Sequence, residues 1–298
     1  MNILKDHSLE DQNGSVIAIA LFMIFTISIF AMAASTIVSG DFFQSRRYQN
    51  NIQASFLARA GIEKAIQTLR HDNPGFDSLN ESWHNNSDAF KDVALDRGFF
   101  SVSYETGDQK AYGLVDEESK ININTASKKM LKRLGKLNTD KVKKIIKSRR
   151  KATFRKPSEL VTRGIIRREA FEGPEGLKNY ITVWGKGKIN INTASEEVLL
   201  AVPGFYIKEV GKILSFRRGT DGIPGTNDDG VFKSIDELRN LYGMKFKVPK
   251  NMFTVNSSNF YILSKGFISK KRPLGKKTIT SVVERNQGKM SIVYWEMF

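Results

Sequence analysis

The chain of 298 residues contains no cysteine, only three histidines and only seven prolines. Without cysteine there is no disulfide, no thiolate-held metal and no cysteine nucleophile. His7, His71 and His84 show no pairing at metal-ligand spacing, which argues against a histidine-based zinc or iron site. A P-loop is absent as well: Gly275-Lys276-Lys277-Thr278 has Lys270 where the upstream glycine is required. Neither G-x-S-x-G nor H-E-x-x-H occurs, and the acidic pair Glu117-Glu118 suits capping or docking better than catalysis. These absences point to a protein that is not an enzyme. Acidic residues are also scarce: 31 Asp and Glu face 47 Lys and Arg, leaving a formal charge of +16. A basic surface fits nucleic acid, anionic lipid or an acidic protein, and equally a plain solvated exterior.

Charge of either sign is missing from Ser15 to Gly40, a run of 26 residues. About 20 apolar residues suffice for a membrane-spanning helix. The apolar core of a cleaved secretory signal is typically about 7–15 residues, shorter than this run. The helical pattern continues without proline to Leu69, with Ile52, Phe56, Leu57, Ala60, Ile66 and Leu69 largely on one face. Pro74-Gly75 then breaks it. A helix over 15–69 would be roughly 80 Å long, one half in lipid and the other packed on a soluble domain.

A short polar leader ending in Gly14, followed by an apolar helix that turns amphipathic, resembles a type IV prepilin. That resemblance implies cleavage between Gly14 and Ser15 by a prepilin peptidase. It departs from most pilins at the fifth position after the cut, where Ile19 replaces glutamate, and its leader is acidic overall (Lys5 against Asp6, Glu10 and Asp11). The missing glutamate resembles the K-type minor pseudopilin of the type II (general) secretion pathway, which sits at the filament tip. The stretch Ala54–Leu69, the phrase Val115-Asp116-Glu117 and the closing Tyr294-Trp295-Glu296 are similar to the same subfamily.

The most specific internal signal is a repeat. KININTAS occurs at Lys120–Ser127 and again at Lys188–Ser195, and the similarity runs on to Arg149-Arg150 and Arg217-Arg218. This is a duplicated supersecondary unit. Each copy reads as a short strand, a threonine-capped helix, a glycine turn (Gly135, or Pro203-Gly204) and a second helix. In the second copy Thr193 and Glu196 match a capping box. The pattern is helix-hairpin-helix. After each copy comes a phenylalanine, Phe154 or Phe232, expected to anchor the core, and KPSEL reads as a further short helix capped near Ser158 or Pro157.

Helix-hairpin-helix units often bind DNA through backbone N–H groups at the turn, and INTASEEVLLAVPGF also resembles competence DNA receptors. A membrane-anchored DNA-binding receptor for DNA uptake is therefore the alternative function. Both turns lack the second glycine that lets backbone approach a phosphate, which argues against nucleic acid as the partner. Lys141, Lys144, Lys147, Arg149 and Arg150 are the residues that would contact phosphates nonspecifically.

Comparing the copies exposes an insertion. Three residues separate Arg150 from Phe154, but thirteen separate Arg218 from Phe232. The extra residues lie in GTDGIPGTNDDG, Gly219–Gly230. Hard cations take six to eight oxygens from a loop that can curl. Asp221, Asn227, Asp228 and Asp229 supply them, and glycines allow the curvature. Calcium is the expected ion, and the resemblance to K-type pseudopilins implies it as well. The plain alternative is an exposed turn. An EF-hand is excluded, because Ile223 stands at the third ligand position and no glutamate at the twelfth.

Residues 98–105, 253–268, 276–286 and 290–298 read as strands, with Asn286-Gln287-Gly288-Lys289 as a hairpin turn. The fold class is thus α+β: a long N-terminal transmembrane and amphipathic helix packed on an antiparallel, pilin-like sheet, with an inserted all-α domain of two helix-hairpin-helix-like repeats. The expected layout is a leader at 1–14, a transmembrane part at 15–40 and an amphipathic continuation at 41–70. A pilin-like domain follows from 71–118 and 251–298, with the helical insert at 119–250 (repeats 120–160 and 188–238). The family resemblance implies a minor pseudopilin at the tip of a type II secretion pseudopilus, initiating or capping the filament for export across the outer membrane. Its partners would be other minor pseudopilins met through the N-terminal helix, the prepilin peptidase and the inner-membrane assembly platform. It would cross the inner membrane once, with its C-terminal domain in the periplasm.

Overall fold

A computed structural model describes residues 10–72, 75–106, 109–173, 175–238, 250–270 and 275–298. The chain forms two units, 1–52 and 53–298. Among the described residues, the first is the N-terminal part, largely apolar, of one continuous helix, α1 (Glu10–Arg70). The helix begins before Ser15, so Gly14 and Ser15 both lie within it. Its most apolar window of 18 residues has mean hydropathy 2.7 and none of it is buried. Phe22, Phe25 and Phe30 are all largely exposed. Three hydroxyls in this stretch are satisfied within the helix: Thr26 donates to the Phe22 carbonyl (3.0 Å), Ser28 to Ile24 (2.7 Å) and Thr36 to Ala33 (2.7 Å). That self-satisfaction is what a lipid environment demands of polar groups.

The second unit begins with the last part of α1. Its buried face is Ala54, Leu57, Ala58, Ile62, Ala65 and Leu69. Phe56, expected on that face, is 66% exposed, and Ile52 is also on the outside. The reason is helical phase: the buried residues share one face, and Phe56 lies on the opposite side of the helix. The contact itself is close. A Cβ on Gly61 would overlap the Ser264 hydroxyl, and one on Gly266 would overlap the Ala54 carbonyl and the Ala58 N–H. The helix lies so close to the sheet at these two glycines that neither position has room for a side chain.

In chain order, α2 (Ser87–Phe90) leads into the hairpin β1 (Val93–Leu95) and β2 (Gly98–Val102), then the hairpin β3 (Tyr104–Thr106) and β4 (Gln109–Ala111). The short strand β5 (Val115–Asp116) precedes the repeats. The first repeat holds β6 (Ile121–Asn122), α3 (Lys128–Arg133) and α4 (Thr139–Lys151), followed by α5 (Glu159–Thr162), α6 (Arg168–Glu172) and β7 (Ile181–Thr182). The second holds β8 (Ile189–Asn190), α7 (Glu196–Ala201) and α8 (Ile207–Arg217). Then come β9 (Phe253–Thr254), β10 (Asn259–Phe267), β11 (Lys276–Asn286) and β12 (Lys289–Met297).

The main sheet has the order β1-β2-β10-β11-β12, with β5 also on β10, and every pairing in it is antiparallel. Gln287 (φ 49°) and Gly288 (φ 77°) make the two-residue turn between β11 and β12. Two positive φ values there match the right-handed twist of the strands. One core joins Ala58, Ile62, Ile66 and Leu69 of α1 to Phe100, Phe260, Ile262 and Ile279 of the sheet, with Trp83 and Phe90 closing it. A second core lies among the repeats, around Leu131, Ile145, Leu199, Phe205, Ile213 and Phe253. The repeats carry short parallel ladders besides their helices: β6 pairs with β7, and β8 with β9. β6 and β8 stand where each copy was read to open on a short strand; β7 and the pairings themselves were not legible, because the partners lie some 60 residues apart.

Candidate functional site

The duplicated unit has a shared internal grammar. The first Asn of each N-I-N-T phrase folds its own turn: the Asn122 side chain accepts from the N–H of Asn124 (2.9 Å), and Asn190 from that of Asn192 (3.0 Å). The second Asn clasps the phenylalanine that follows the repeat. Asn124 accepts from the Phe154 N–H and donates to its carbonyl, both at 2.9 Å; Asn192 does the same to Phe232, again at 2.9 Å. At the end of each second helix an arginine reaches back. Arg149 donates to the carbonyls of Ile123 (2.7 Å) and Ala126 (2.9 Å), and Arg217 to those of Ile191 (3.3 Å) and Ala194 (2.6 Å).

The expected threonine caps are corrected by the structure. Ser127 and Ser195 cap α3 and α7, accepting from Met130 N and Val198 N. Thr193 instead donates to Asp116 Oδ2 (2.5 Å). The turn that Asn190 builds carries the chain two residues past threonine before the helix starts, so serine occupies the cap position. The hairpin glycines stand where expected, Gly135 at φ 73° and Gly204 at φ 96°. Ser158 precedes α5, and both Phe154 and Phe232 are buried. The two hairpins pack together through α3 and α7, where Arg133 donates to the carbonyls of Leu200 (3.0 Å) and Phe205 (2.5 Å).

The inserted loop closes on one carbonyl: Gly219 N–H (3.4 Å) and Gly230 N–H (3.0 Å) both reach Phe216 O. Its carboxylates are turned toward the loop's own donors. Asp228 accepts from Thr220 N (2.6 Å), Thr220 Oγ1 (2.7 Å), Asp221 N (3.1 Å) and Thr226 Oγ1 (2.7 Å). Those donors hold the Asp228 carboxyl well below the usual carboxylate range. Asp229 accepts from Gly225 N (2.6 Å), and Asp221 from Ile223 N (2.7 Å). Asn227 stands exposed beside them. Anionic carboxylates on a glycine-rich loop suit a hard cation in chemistry.

Of the basic residues, Lys144, Lys147 and Arg150 are exposed on α4 and Lys141 is half-buried. Arg149 differs from them, because its guanidinium is committed to the two carbonyls of its own repeat. Lys128, Lys143, Ile146, Lys147, Arg149 and Arg150 line an open depression of about 570 Å³.

A buried polar node, absent from the sequence-based expectations, ties the second repeat to the sheet. Asp116 Oδ2 accepts from Asn190 (3.0 Å) and Ser257 Oγ (2.7 Å) besides Thr193. Asp77 accepts from Arg285 (2.5 Å) and Ser257 N (2.6 Å), and Arg285 also donates to Asp72 (3.1 Å). Glu118 accepts from the backbone and side chain of Asn259, both at 3.0 Å. Burial pushes Asp77 up to about 7 against the pull of Arg285, and pushes Glu118, beside Asp116, up to about 8. Burial raises Asp116 as well, while its hydrogen bonds pull it back. The phrase Val115-Asp116-Glu117 was a signal for part of this node, but Asp77 and Arg285 had none. Among the described residues, Asp72, Asp77 and Glu81 form the one acidic triad with converging oxygens. Arg285 serves two of them, and Glu81 accepts from Ser78 N (2.7 Å) and Trp83 Nε1 (3.1 Å).

At the other end of the chain, Gly14 and Ile19 sit exposed on α1. The helix-hairpin-helix motif family matches residues 116–176, the first repeat. No curated protein matches the sequence. Among solved structures, the chain is similar to one from the crystal structure of the GspK-GspI-GspJ complex of the enterotoxigenic Escherichia coli Type 2 Secretion System, with a TM-score of 0.50 and 14% identity. The likeness covers 88% of this chain and 99% of that one. The protein therefore has a pseudopilin-like α+β fold, a long N-terminal apolar helix followed by an antiparallel sheet, with helix-hairpin-helix repeats set between its strands.

Proposed function

We propose that the protein is a minor pseudopilin at the tip of a type II secretion pseudopilus, where it initiates or caps the filament that exports proteins across the outer membrane. The observation that carries this reading is the fold likeness to a chain of a secretion-system complex over almost the whole of both chains. An exposed apolar helix long enough to cross a membrane supports it. In this reading the leader is cut after Gly14 by a prepilin peptidase. The helix from Ser15 starts in the inner membrane with the C-terminal domain in the periplasm, and it enters the filament through the assembly platform. Because Ile19 stands in place of glutamate, no subunit stacks above. Two other minor pseudopilins are the partners, bound mainly through α1, and the protein acts by assembly and not by catalysis. This reading keeps the domain layout proposed from the sequence, with the helical repeats as an insert in the pilin-like domain.

Calcium belongs to the same proposal. Asp221, Asn227, Asp228 and Asp229 would hold it, supported by the donor chemistry of the loop. The ion would supply positive charge that the loop's own N–H and O–H groups now provide. The rival function is a membrane-anchored DNA receptor, favoured by the helix-hairpin-helix match at 116–176 and the exposed lysines of α4.

The deciding experiment is the mature N-terminus, read by mass spectrometry of protein expressed with and without a prepilin peptidase. A peptidase-dependent start at Ser15 is expected. An intact Met1, or a cut elsewhere, would overturn the pseudopilin reading and favour the DNA receptor, which salt-sensitive DNA binding would then test.

A further inference from the structure

The two repeats share a backbone plan but not a charge. From Lys128 to Lys151 the first hairpin carries twelve Lys and Arg against one acidic residue, Asp140. The matching stretch of the second, Glu196 to Gly219, carries four against three. Substitution at equivalent positions makes the difference: Lys128 and Lys129 correspond to Glu196 and Glu197, Lys141 to Glu209, Lys143 to Gly211 and Lys147 to Ser215. Most of the chain's +16 is therefore concentrated on one hairpin. Lys128, Lys129, Lys132, Lys144, Lys147 and Arg150 are all exposed. The ion pair of Lys143 with Asp140 is loose, 3.7 Å, and its side chain is 63% exposed. Like charges held this densely repel one another, and nothing in the fold of the repeat needs the exposed lysines, since the second copy builds the same clasps with far fewer of them.

We infer that this face of the first hairpin is a docking surface for the anionic phospholipid headgroups of a bilayer. Three features favour headgroups over other polyanions. The hairpin from Lys128 to Lys151 contains no aromatic residue, so it offers no platform on which bases could stack. The second hairpin lacks the matching charge, so a duplex could not be gripped by both. Nine of the twelve cations are lysine, and lysine is depleted at the cores of protein–protein interfaces, where arginine and aromatics are enriched. Clustered lysine does suit diffuse attraction to an anionic membrane surface. Such a surface is always at hand for a chain anchored by α1, and the inference rests on that reading of α1.

The test is a footprint of the full chain in nanodiscs. One set is phosphatidylcholine alone, and a second contains about a third phosphatidylglycerol, which supplies the anionic potential. Lysines are acetylated with a limiting reagent and read by mass spectrometry. Acetylation of Lys128, Lys143 and Lys147 should slow about threefold or more in the anionic discs, and recover near 1 M salt, where the Debye length falls to about 3 Å. The exposed Lys186 and Lys208 should not change. A triple variant, Lys143→Gln with Lys147→Gln and Arg150→Gln, should remove the protection of Lys128 while circular dichroism stays unaltered. Equal acetylation in both discs would overturn the inference. So would protection by duplex DNA in neutral discs with none from phosphatidylglycerol. Failure to enter neutral discs would count against the anchor reading alone, and the same footprint on chain added to preformed vesicles would then decide headgroup contact by itself.

Discussion

Asn192 clasps both backbone groups of Phe232 across forty residues of chain, with the ten-residue insertion looped out between them. Asn124 does the same for Phe154 across thirty. The clasp is thus independent of what lies between its two ends, and it explains why the repeat tolerates an acidic loop in one copy.

Replacing Asn192 with alanine should cost about 2–4 kcal/mol, because it leaves the N–H and carbonyl of a buried residue without partners. Asn124→Ala should cost less, since Asn124 is only partly buried. Urea unfolding of both variants measures the difference, and equal stability to the parent would show that the clasp contributes nothing.

The seam between α1 and β10 predicts opposite effects for two glycine substitutions. Gly266→Ala puts a methyl onto the backbone of Ala54 and Ala58 and should destabilise by about 1–3 kcal/mol, the usual cost of overpacking. Gly211→Ala on α8 meets nothing within 4 Å and should stabilise by about 0.5–1 kcal/mol through helix propensity. Thermal melts should therefore move in opposite directions.

The buried carboxyls make stability fall as pH rises. Asp77 rises from 3.8 to about 7 on folding, and Glu118 from 4.5 to about 8. Across those windows the folded chain keeps protons the unfolded chain has released, so stability is fully present below about pH 4 and is lost through pH 7–8. His84, lowered by burial from 6.5 to about 4, works the other way between those values. Above pH 6.5 only the carboxyls act, and the melting temperature should drop from pH 6.5 to 8.5. Glu118→Gln should flatten that slope by the equivalent of about one proton, roughly 1.4 kcal/mol per pH unit. A flat profile in the parent protein would contradict the burial of these charges.

Calcium removal tests the acidic loop. If Asp221, Asn227, Asp228 and Asp229 hold the ion, elemental analysis of dialysed protein should find bound calcium. Chelation should then lower the melting temperature, with about 2.7 kcal/mol at stake when free calcium is a hundred times the dissociation constant. The double variant Asp228→Ala/Asp229→Ala should abolish both effects. Calcium-free parent protein would show that the loop is only a hydrogen-bonded turn.

The long helix, the duplicated hairpins, the β11–β12 turn at Gln287-Gly288 and the buried phenylalanines were all legible in the sequence, because each is encoded locally: by an uncharged run, by eight identical residues, by a turn dipeptide. So was the concentration of lysine on α4. Which face of α1 meets the sheet was misread at Phe56, which lies on the side of the helix opposite the buried Ala54, Ala58, Ile62 and Ala65, and the close approach of two backbones at Gly61 and Gly266 was not legible either. The serine caps, the asparagine clasps and the node of Asp77, Asp116, Asn190, Ser257 and Arg285 were decided only in three dimensions. Their partners are separated by up to 208 residues, and a polar side chain in a sequence carries no mark of which distant backbone group or charge will compensate its burial.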